Sequence, residues 1–251
     1  MAKRYGLIGK NIEYSFSRAY FAQKFKKLKK EENSEYVNFD FQSISEFGNL
    51  LETQKNLRGF NVTIPYKKSI IPYLDSLSKK AKTIGAVNTI QITKSGKLKG
   101  YNTDWYGFYH SLKPLLKFHH KRALILGTGG ASKAIEYALK KLGLKYTFVS
   151  RVKDTNTLLY SELTEEIMSK YTLIINTTPV GTFPNIDLMP EVPVEYLSER
   201  HIVYDLIYNP KETALMKAAT LKGAKTKNGY EMLVLQAEKA YKIWNKPFGG
   251  D

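Results

Sequence analysis

The stretch RALILGTGGASKAIEYALKKL, residues 122–142, decides the fold of the chain. Its apolar start, Arg122 to Leu126, predicts a buried strand that ends at Gly127, and the pattern after the glycines predicts a helix through Ala138 and Leu142. Glycines in such a turn let the backbone approach a pyrophosphate, and the helix N-terminus supplies N–H donors and a positive dipole. A strand before the glycines and a helix after them favour a dinucleotide site over a simple turn.

The residues that follow continue the alternation of strands and helices. Apolar runs predict strands at Tyr146 to Val149, Leu173 to Asn176 and Ile202 to Leu206, and the repeated alternation predicts a parallel sheet. The segment from Asp154 to Lys170 has room for little more than one helix. The tail from Gly229 to Trp244 predicts a helix with four buried positions, Met232, Leu235, Ala240 and Ile243.

The first hundred residues predict another unit of alternating strands and helices. Its patterns run in the order Arg4 to Ile8, Arg18 to Leu28, Tyr36 to Phe41, Ile44 to Leu51 and Gly59 to Thr63. A helix is expected from about Ser76 to a C-terminal cap at Gly85. A hairpin should follow, with strands Ala86 to Thr93 and Lys97 to Tyr101 around Ser95-Gly96. Asp104 is expected to be the N-cap of the next helix, and the whole chain is predicted to be α/β with two domains.

The composition is that of a globular protein without disulfides. At about 150 residues per domain, the 251 residues point to two domains, and 43% hydrophobic residues suffice for a sizeable core. The absence of cysteine excludes disulfide scaffolds, thiolate metal sites and cysteine nucleophiles. With neither a signal-peptide pattern nor an apolar run of membrane-spanning length, we expect a cytoplasmic protein with no membrane partner.

The charge of the chain predicts an anionic partner. Lys and Arg total 39 against 23 Asp and Glu, a formal net charge of +16, which suits a nucleic acid, a nucleotide or an acidic metabolite. The densest basic run, residues 26–30, continues a helical pattern with Phe21, Phe25 and Leu28. We interpret this run as a solvated helix face rather than a nucleic-acid patch.

The strand that follows the glycine turn is the second strand of this unit, and the residues at its end bear on the choice of cofactor. An NAD enzyme usually places an acidic residue there, about 20 residues on, to hold the ribose diol. This chain has Ser150-Arg151-Val152-Lys153 instead. A cation at that place can pair with the 2′-phosphate of NADP and has no anionic partner on NAD, so NADP is favoured. The alternative is that Arg151 is an ordinary solvated side chain.

Short motifs spread over nearly the whole chain resemble those of one enzyme family. They are Tyr14-Ser15-Phe16-Ser17, NVTIPYK (61–67), GAVNT (85–89), GYNTD (100–104), NTTPVG (176–181), DLIYNP (205–210) and GYEMLVLQ (229–236). In this order they resemble the motifs of the shikimate dehydrogenase family. That resemblance implies a substrate-binding catalytic domain, residues 1–104 plus 229–251, and a Rossmann-type NADP-binding domain, residues 105–228. It also implies the reversible NADPH-dependent reduction of 3-dehydroshikimate to shikimate.

The resemblance also assigns roles to individual residues. Lys67 and Asp104 are the implied catalytic pair. The implied substrate contacts are Ser15, Ser17, Thr63, Asn88, Tyr208 and Gln236. Together with the glycine turn, the motifs predict cofactor contacts at Gly127, Gly129, Gly130, Ala131, Ser150, Arg151, Lys153, Thr178, Pro179, Ile207, Gly229 and Met232, and no metal.

Two positions depart from the family pattern. Arg18 stands where the family usually has proline after the second serine, which removes a pre-set first helical residue and adds a cation. The family's Asn-Arg-Thr stretch is Ser150-Arg151-Val152 here, with Lys153 nearby and no second arginine downstream. The second departure bears on how strongly NADP is preferred.

Ketone reduction gives these residues a chemical rationale. It needs a hydride donor, which the cofactor supplies, and a proton donor for the developing alkoxide. Lys67 can donate that proton, and a neighbouring carboxylate such as Asp104 stabilises the ammonium form. Each residue also has a structural interpretation. Lys67 can be a surface charge, Asp104, Ser15 and Ser17 can be helix caps, and Asn88 and Gln236 can be structural amides.

Two other functions remain as alternatives. One is an NAD-linked quinate or shikimate dehydrogenase, which shares the pocket but is disfavoured by Arg151. The other is a basic nucleic-acid-binding protein, motivated only by the net charge of +16. The lysines are scattered over every segment instead of marking one face, so we expect an anionic small-molecule substrate and no nucleic acid. We expect the protein to be a monomer or a homodimer.

Overall fold

A computed structural model of the chain describes residues 2–13, 15–93 and 95–246. The chain divides into two compact units. Unit 1 consists of the residues up to Thr103 and those from Ala237 onward, and unit 2 extends from Asp104 to Gln236. Thr103 rather than residue 104 closes the first segment. Ala237 rather than Gly229 opens the last one, because the start of the final helix packs in the core of unit 2 through Met232.

Unit 1 is built on a six-stranded mixed sheet. Its strands are β1 (Lys3–Gly9), β2 (Ser34–Asp40), β3 (Leu57–Val62), β4 (Ser76–Leu77), β5 (Thr89–Ile92) and β6 (Leu98–Tyr101). Its helices are α1 (Phe16–Lys27), α2 (Glu46–Thr53) and α3 (Lys79–Ile84). The strand order is β2-β1-β3-β5-β6-β4, and β5 runs antiparallel to β3 and β6 while the other neighbours are parallel.

Helix α1 forms where a serine caps an aromatic-lined helix. The Ser15 hydroxyl accepts a hydrogen bond from the N–H of Arg18 at 3.2 Å, which satisfies one of the open donors at the helix start. Phe21 and Phe25 point into the core, and Phe21 stacks on Tyr36 with ring centroids 4.6 Å apart. Leu28, expected on the same face, is 42% exposed because the helix ends at Lys27. The lysines of residues 26–30 are exposed around it.

The region from residue 76 to 101 differs in detail from the prediction. The expected helix begins at Lys79 instead of Ser76, because the Ser78 hydroxyl caps it by accepting the Ala81 N–H and Ser76–Leu77 pair with β6 as a short strand. Gly85 ends the helix in the left-handed conformation with φ of 71°. The hairpin of β5 and β6 is present as predicted, with Gly96 at φ of 81° in its turn.

Unit 2 is a parallel sheet covered by helices. Its strands are β7 (Arg122–Leu126), β8 (Lys145–Ser150), β9 (Thr157–Leu159), β10 (Leu173–Asn176), β11 (Ile202–Asp205) and β12 (Lys225–Lys227). Its helices are α4 (Asp104–Leu112), α5 (Gly130–Lys141), α6 (Glu165–Lys170) and α7 (Ala214–Leu221), while α8 (Tyr230–Trp244) begins in unit 2 and ends in unit 1. The strand order β12-β11-β10-β7-β8-β9 is that of dinucleotide-binding sheets, whose direction of winding reverses between β7 and β10. The predicted α/β class is therefore confirmed.

Two apolar clusters cover the two faces of this sheet. Ile125 packs with Phe108, Ile135 and Tyr204 on one face, whereas Leu124 and Leu126 belong to the cluster on the other. Burial on both faces explains why β7 is a continuous apolar run rather than an alternating one. Along the part of the chain that the structure describes, no helix has the length and apolarity needed to span a membrane.

Unit 2 departs from the prediction in several details, and neither helix α7 nor the short strand β12 was predicted. The segment from Asp154 to Lys170 holds the short strand β9 as well as helix α6. Leu235 is half-buried on α8, whereas Met232, Ala240 and Ile243 are buried as expected.

Candidate active site

One edge of the unit 1 sheet gathers several of the predicted site residues. Thr63 directly follows β3 and Asn88 directly precedes β5. Because β5 runs opposite to β3 and β6, its first residue lies beside the last residues of those strands, with Asn61 opposite Thr89 and Thr89 opposite Tyr101. The turn that carries Lys67 begins at the same edge, where the Thr63 N–H donates to the Ile8 carbonyl at 2.9 Å.

The backbone of Lys67 is fixed from two directions. Its neighbour Tyr66 is buried and donates its hydroxyl hydrogen to the Phe41 carbonyl at 2.7 Å. The Lys67 carbonyl itself accepts the N–H of Val87 at 2.7 Å, while its side chain is half-buried. A lysine on an anchored turn presents its ammonium group from a defined position, which a proton donor requires.

The two predicted serines face β2. The Ser15 hydroxyl donates to Asn38 Oδ1 at 3.2 Å, and the Asn38 amide is held in turn by donating to the Ile12 carbonyl at 2.7 Å. Two residues earlier on the strand, Tyr36 donates to Asn61 Oδ1 at 2.8 Å. Burial raises the pKa of Tyr36, and a hydrogen bond from Ser17 opposes that rise. Tyr14, the first residue of the serine motif, lies outside the described residues.

The Asn88 side chain is part of a buried hydrogen-bond cluster. Its Oδ1 accepts the backbone N–H of Thr103 at 2.6 Å, and its Nδ2 donates to Thr103 Oγ1 at 3.0 Å. The Thr89 and Thr103 hydroxyls share a hydrogen bond of 3.1 Å, and Asn61 donates to Thr89 Oγ1 at 3.3 Å. The cluster therefore runs from Asn61, which Tyr36 contacts, to Thr103.

Asp104, Tyr208 and Gln236 belong to unit 2. Asp104 is the first residue of α4 rather than the residue before it, and it is 8% exposed. Tyr208 is 38% exposed, and partial burial raises the pKa of its hydroxyl. Gln236 is buried, and its amide donates to the Leu233 carbonyl at 3.0 Å within the same helix.

A cavity of about 560 Å³ opens at the ends of β7 and β10, the neighbouring strands between which the direction of winding reverses. Of the predicted cofactor residues, those that line it are Gly127, Gly129, Ser150, Arg151, Thr178 and Pro179. Gly127 has φ of 90°, and a Cβ there would lie 2.8 Å from Thr178, so glycine is needed both for conformation and for space. A Cβ on Gly129 or Gly130 would meet no atom within 4 Å, which leaves open room above the start of α5.

The cations after β8 differ in their surroundings. Arg151 lines the cavity, next to Ser150. Lys153 does not line it, and its ammonium group donates to both carboxylate oxygens of Glu162 at 2.6 Å. The hydrogen bond from Lys153, followed by that from the Leu159 N–H, lowers the pKa of Glu162. Arg151 is thus the cation that the described cavity lining contains.

The remaining predicted cofactor residues lie outside the lining of this cavity. Gly130 and Ala131 form the first turn of α5. Gly229 donates its N–H to the Ile207 carbonyl at 3.0 Å, so these two lie side by side. Met232 is buried in the unit 2 core with Phe108 and Tyr204.

Sequence reasoning did not assign a role to a buried polar pair that holds the cavity loops. Asn176 Oδ1 accepts the N–H and the hydroxyl of Thr178 at 3.0 and 2.7 Å. Asn176 Nδ2 donates to Asp205 at 3.1 Å, and Asp205 also accepts the Ile207 N–H at 3.0 Å and the Thr213 hydroxyl at 2.8 Å. Burial raises the pKa of Asp205, and these hydrogen bonds oppose the rise. The sequence did contain a signal for this pair, because Asn176 and Asp205 are the polar last residues of two otherwise apolar strands, β10 and β11.

Two further cavity residues also lacked a sequence signal. Tyr160 and Glu191 line the cavity from segments without a motif. Among the residues that the structure describes, no group of three or more His, Cys, Asp or Glu side chains is arranged to hold a metal ion.

Comparison with known proteins gives consistent matches over the chain. Residues 7–90 match the family model described as the shikimate dehydrogenase substrate binding domain. A relative named shikimate dehydrogenase (NADP(+)) from Caldicellulosiruptor saccharolyticus is 38% identical over 258 residues, which cover 96% of this chain and 92% of the relative.

Solved structures show the same similarity in three dimensions. A shikimate dehydrogenase from Aquifex aeolicus superposes with a TM-score of 0.85 and 36% identity, covering 97% of this chain and 92% of that one. A shikimate 5-dehydrogenase from Thermus thermophilus in complex with NADP(H) and shikimate gives a TM-score of 0.85 at 32% identity, with coverage of 97% and 93%.

Proposed function

Because the chain belongs to the shikimate dehydrogenase family, we propose that it catalyses the reversible NADPH-dependent reduction of 3-dehydroshikimate to shikimate. The observation that carries this assignment is the cavity at the ends of β7 and β10 in unit 2, whose lining combines a glycine turn with Arg151. Unit 2 is then the NADP-binding unit, and unit 1 is the substrate-binding unit.

The described residues fit a phosphorylated dinucleotide. The open space above Gly129 and Gly130 admits a ligand against the N-terminus of α5, where backbone N–H groups and the helix dipole favour an anion. Thr178 and Pro179 also line the cavity, and Thr178 lies close to Gly127 of the glycine turn. Bound NADPH supplies the hydride for the carbonyl carbon.

Arg151 provides the preference for the phosphorylated cofactor. β8 ends in Ser150 and is followed by Arg151, so no acidic residue stands at the strand end to hold an unmodified ribose diol. Lys153 is not part of the cavity lining, and its ammonium group pairs with Glu162. The NADP-linked reaction is thereby favoured over the NAD-linked alternative, with a selectivity that rests on one charge-assisted contact.

Lys67 and Asp104 form the proposed catalytic pair. Lys67 donates the proton that converts the developing alkoxide to a hydroxyl, and takes one back in the oxidation direction. Asp104 stabilises the ammonium form of the lysine and accepts a hydrogen bond from a substrate hydroxyl. The anchoring of the Lys67 backbone by Val87 supports this role, because a proton donor must remain in a fixed place.

Hydroxyl and amide groups hold the substrate. Ser15 and Ser17 lie at the start of α1, where hydroxyl groups and helix N–H donors suit a carboxylate. Thr63, Asn88, Tyr208 and Gln236 are the proposed partners of the ring hydroxyls. We further propose that the protein acts in the cytoplasm, as a monomer or homodimer, and that its positive charge attracts the anionic substrate and cofactor rather than a nucleic acid.

A nicotinamide absorbance assay tests the function directly. Purified protein is offered shikimate with NADP and, separately, with NAD, and formation of the reduced nicotinamide is followed at its absorbance band. We expect turnover with shikimate and a higher kcat/KM for NADP than for NAD. The absence of turnover with shikimate would refute the assignment, and an equal or higher kcat/KM for NAD would favour the NAD-linked alternative.

A further inference from the structure

The segment from Ala86 to Thr89 bonds to both of the chain segments that carry the proposed catalytic pair. On one side, the Val87 N–H donates to the carbonyl of Lys67 at 2.7 Å. On the other, the Ala86 carbonyl accepts the side-chain amide of Asn102 at 3.1 Å, and the Asn88 N–H donates to the Tyr101 carbonyl at 3.0 Å. All of these contacts lie within unit 1.

Thr103 makes several hydrogen bonds with this segment. Its N–H donates to Asn88 Oδ1, its hydroxyl oxygen accepts from Asn88 Nδ2, and that hydroxyl also meets Thr89 Oγ1. Thr103 is 1% exposed and Asn88 is 3% exposed, so these hydrogen bonds are shielded from water. The next residue in the chain is Asp104.

We propose that Thr103 is a positioning residue. Its hydrogen bonds to Asn88 fix the peptide group that precedes Asp104, and they fix it to the same segment, Ala86 to Thr89, that anchors the backbone of Lys67. The inference rests on the proposed roles of Lys67 and Asp104. A buried, mutually satisfied set of hydrogen bonds has one favourable arrangement, so it restricts the residue that follows more than an apolar contact does. A proton-transfer site is sensitive to such placement, because a displacement of about 1 Å can lower the rate roughly a hundredfold.

Threonine and valine have nearly the same shape, so Thr103→Val removes the hydroxyl and little else. We expect kcat to fall by about ten- to a hundredfold while the KM for NADP stays unchanged. Thr103→Ser keeps the hydroxyl and should therefore retain most of the native kcat. In an Asp104→Asn background, Thr103→Val should lower kcat little further, because both changes act through the same carboxylate.

Thr172→Val is the matched control. Thr172 is equally buried, in unit 2, but its hydroxyl has no hydrogen-bond partner among the described residues, so this variant should keep native kcat. Thermal unfolding of every variant shows whether it is folded at the assay temperature. Native kcat in Thr103→Val, a serine variant as poor as the valine one, or full additivity with Asp104→Asn would each overturn the inference. Native turnover in Asp104→Asn itself would overturn the proposed role of Asp104, and this inference with it.

Discussion

Lys67 combines a fixed backbone with a half-buried side chain. If it is the proton donor, Lys67→Ala should lower kcat by about 10² to 10⁴ and leave NADP affinity nearly unchanged, because the residue touches substrate and not cofactor. Steady-state kinetics and NADP titration measure the two quantities. The neighbouring exposed Lys68 offers a matched control, since Lys68→Ala removes the same charge next to the site. Near-native turnover in Lys67→Ala contradicts the role.

Arg151 and Lys153 have similar charge and different surroundings, which makes their variants informative as a pair. Arg151→Ala should lose most of the preference for NADP, since one charge-assisted contact contributes about 1.5–3 kcal/mol, or roughly ten- to a hundredfold. Its kcat/KM with NAD should change little. Lys153→Ala should leave the NADP preference nearly intact because that lysine lies outside the cavity lining. If Arg151→Ala lowers kcat/KM equally with both cofactors, Arg151 supports the structure instead.

The residues of the site show which features a sequence can predict. Gly127, Arg151 and Thr178 line one cavity because each follows a strand of a parallel sheet, whose carboxyl ends share an edge, and this proximity can be expected from the sequence. The pairing of Lys153 with Glu162 depends on how the chain turns after β8, which no motif specifies. The contacts of Asn61 and Thr103 with the Asn88 segment join distant parts of the chain, so only the folded structure shows them.

At the scale of elements, length decided which ones were predictable. The apolar strands β7, β10 and β11 are buried on both faces and stand out as runs. The strands β4, β9 and β12 have two or three residues, too few to show a period, and all three were missed. The hairpin of β5 and β6 was found through its Ser95-Gly96 turn, but the antiparallel direction of β5 within a mostly parallel sheet follows from the chain's path.

Two glycines at element ends predict opposite outcomes for the same substitution. A Cβ at Gly229, before α8, would lie 2.0 Å from the Leu206 carbonyl oxygen, whereas a Cβ at Gly129, before α5, would meet nothing within 4 Å. We expect Gly229→Ala to destabilise the protein, by about 1–3 kcal/mol as overpacking typically does. Gly129→Ala should keep native stability and weaken NADP binding, because its methyl group enters the space assigned to the pyrophosphate.

Urea unfolding and NADP titration of the two alanine variants separate these effects. Equal stability of both variants would contradict the close approach of Gly229 to Leu206. Unchanged NADP affinity in Gly129→Ala would move the pyrophosphate away from this turn.

At the scale of the whole molecule, each unit contains one of the two tryptophans. Trp105 lies in unit 2 and Trp244 in unit 1, so in a Trp105→Phe background the emission of Trp244 reports on unit 1 alone.

Within unit 1, Glu238 of α8 binds Lys24 of α1 through both carboxylate oxygens, at 2.6 and 2.8 Å, and accepts a hydrogen bond from the hydroxyl of Tyr20. Burial alone would raise the pKa of Glu238, but these hydrogen bonds outweigh it and lower the pKa.

This lowered pKa predicts how the stability of unit 1 depends on pH. A carboxyl group with a depressed pKa in the folded state stabilises the protein above its ordinary value of 4.5, and this contribution is lost as the pH falls through the folded-state pKa. Glu238→Gln should therefore lower the urea midpoint at pH 7, and the difference from the parent should shrink in acid. A difference that stays constant below pH 4.5 would show that the effect of the variant is not ionic.

Helix α8 also has a consequence for how the chain folds during its synthesis. Unit 2 is continuous in sequence, so all of its residues are synthesised before the second half of α8 is made. Unit 1 has no such independence, because Trp244 packs against Tyr5 and Phe21 with ring centroids 4.9 and 5.1 Å apart. The first hundred residues are translated first, but Trp244, which contacts two of their aromatic rings, is made only near the end of α8. The residues that complete unit 2 are therefore synthesised before those that complete unit 1, although unit 1 begins first.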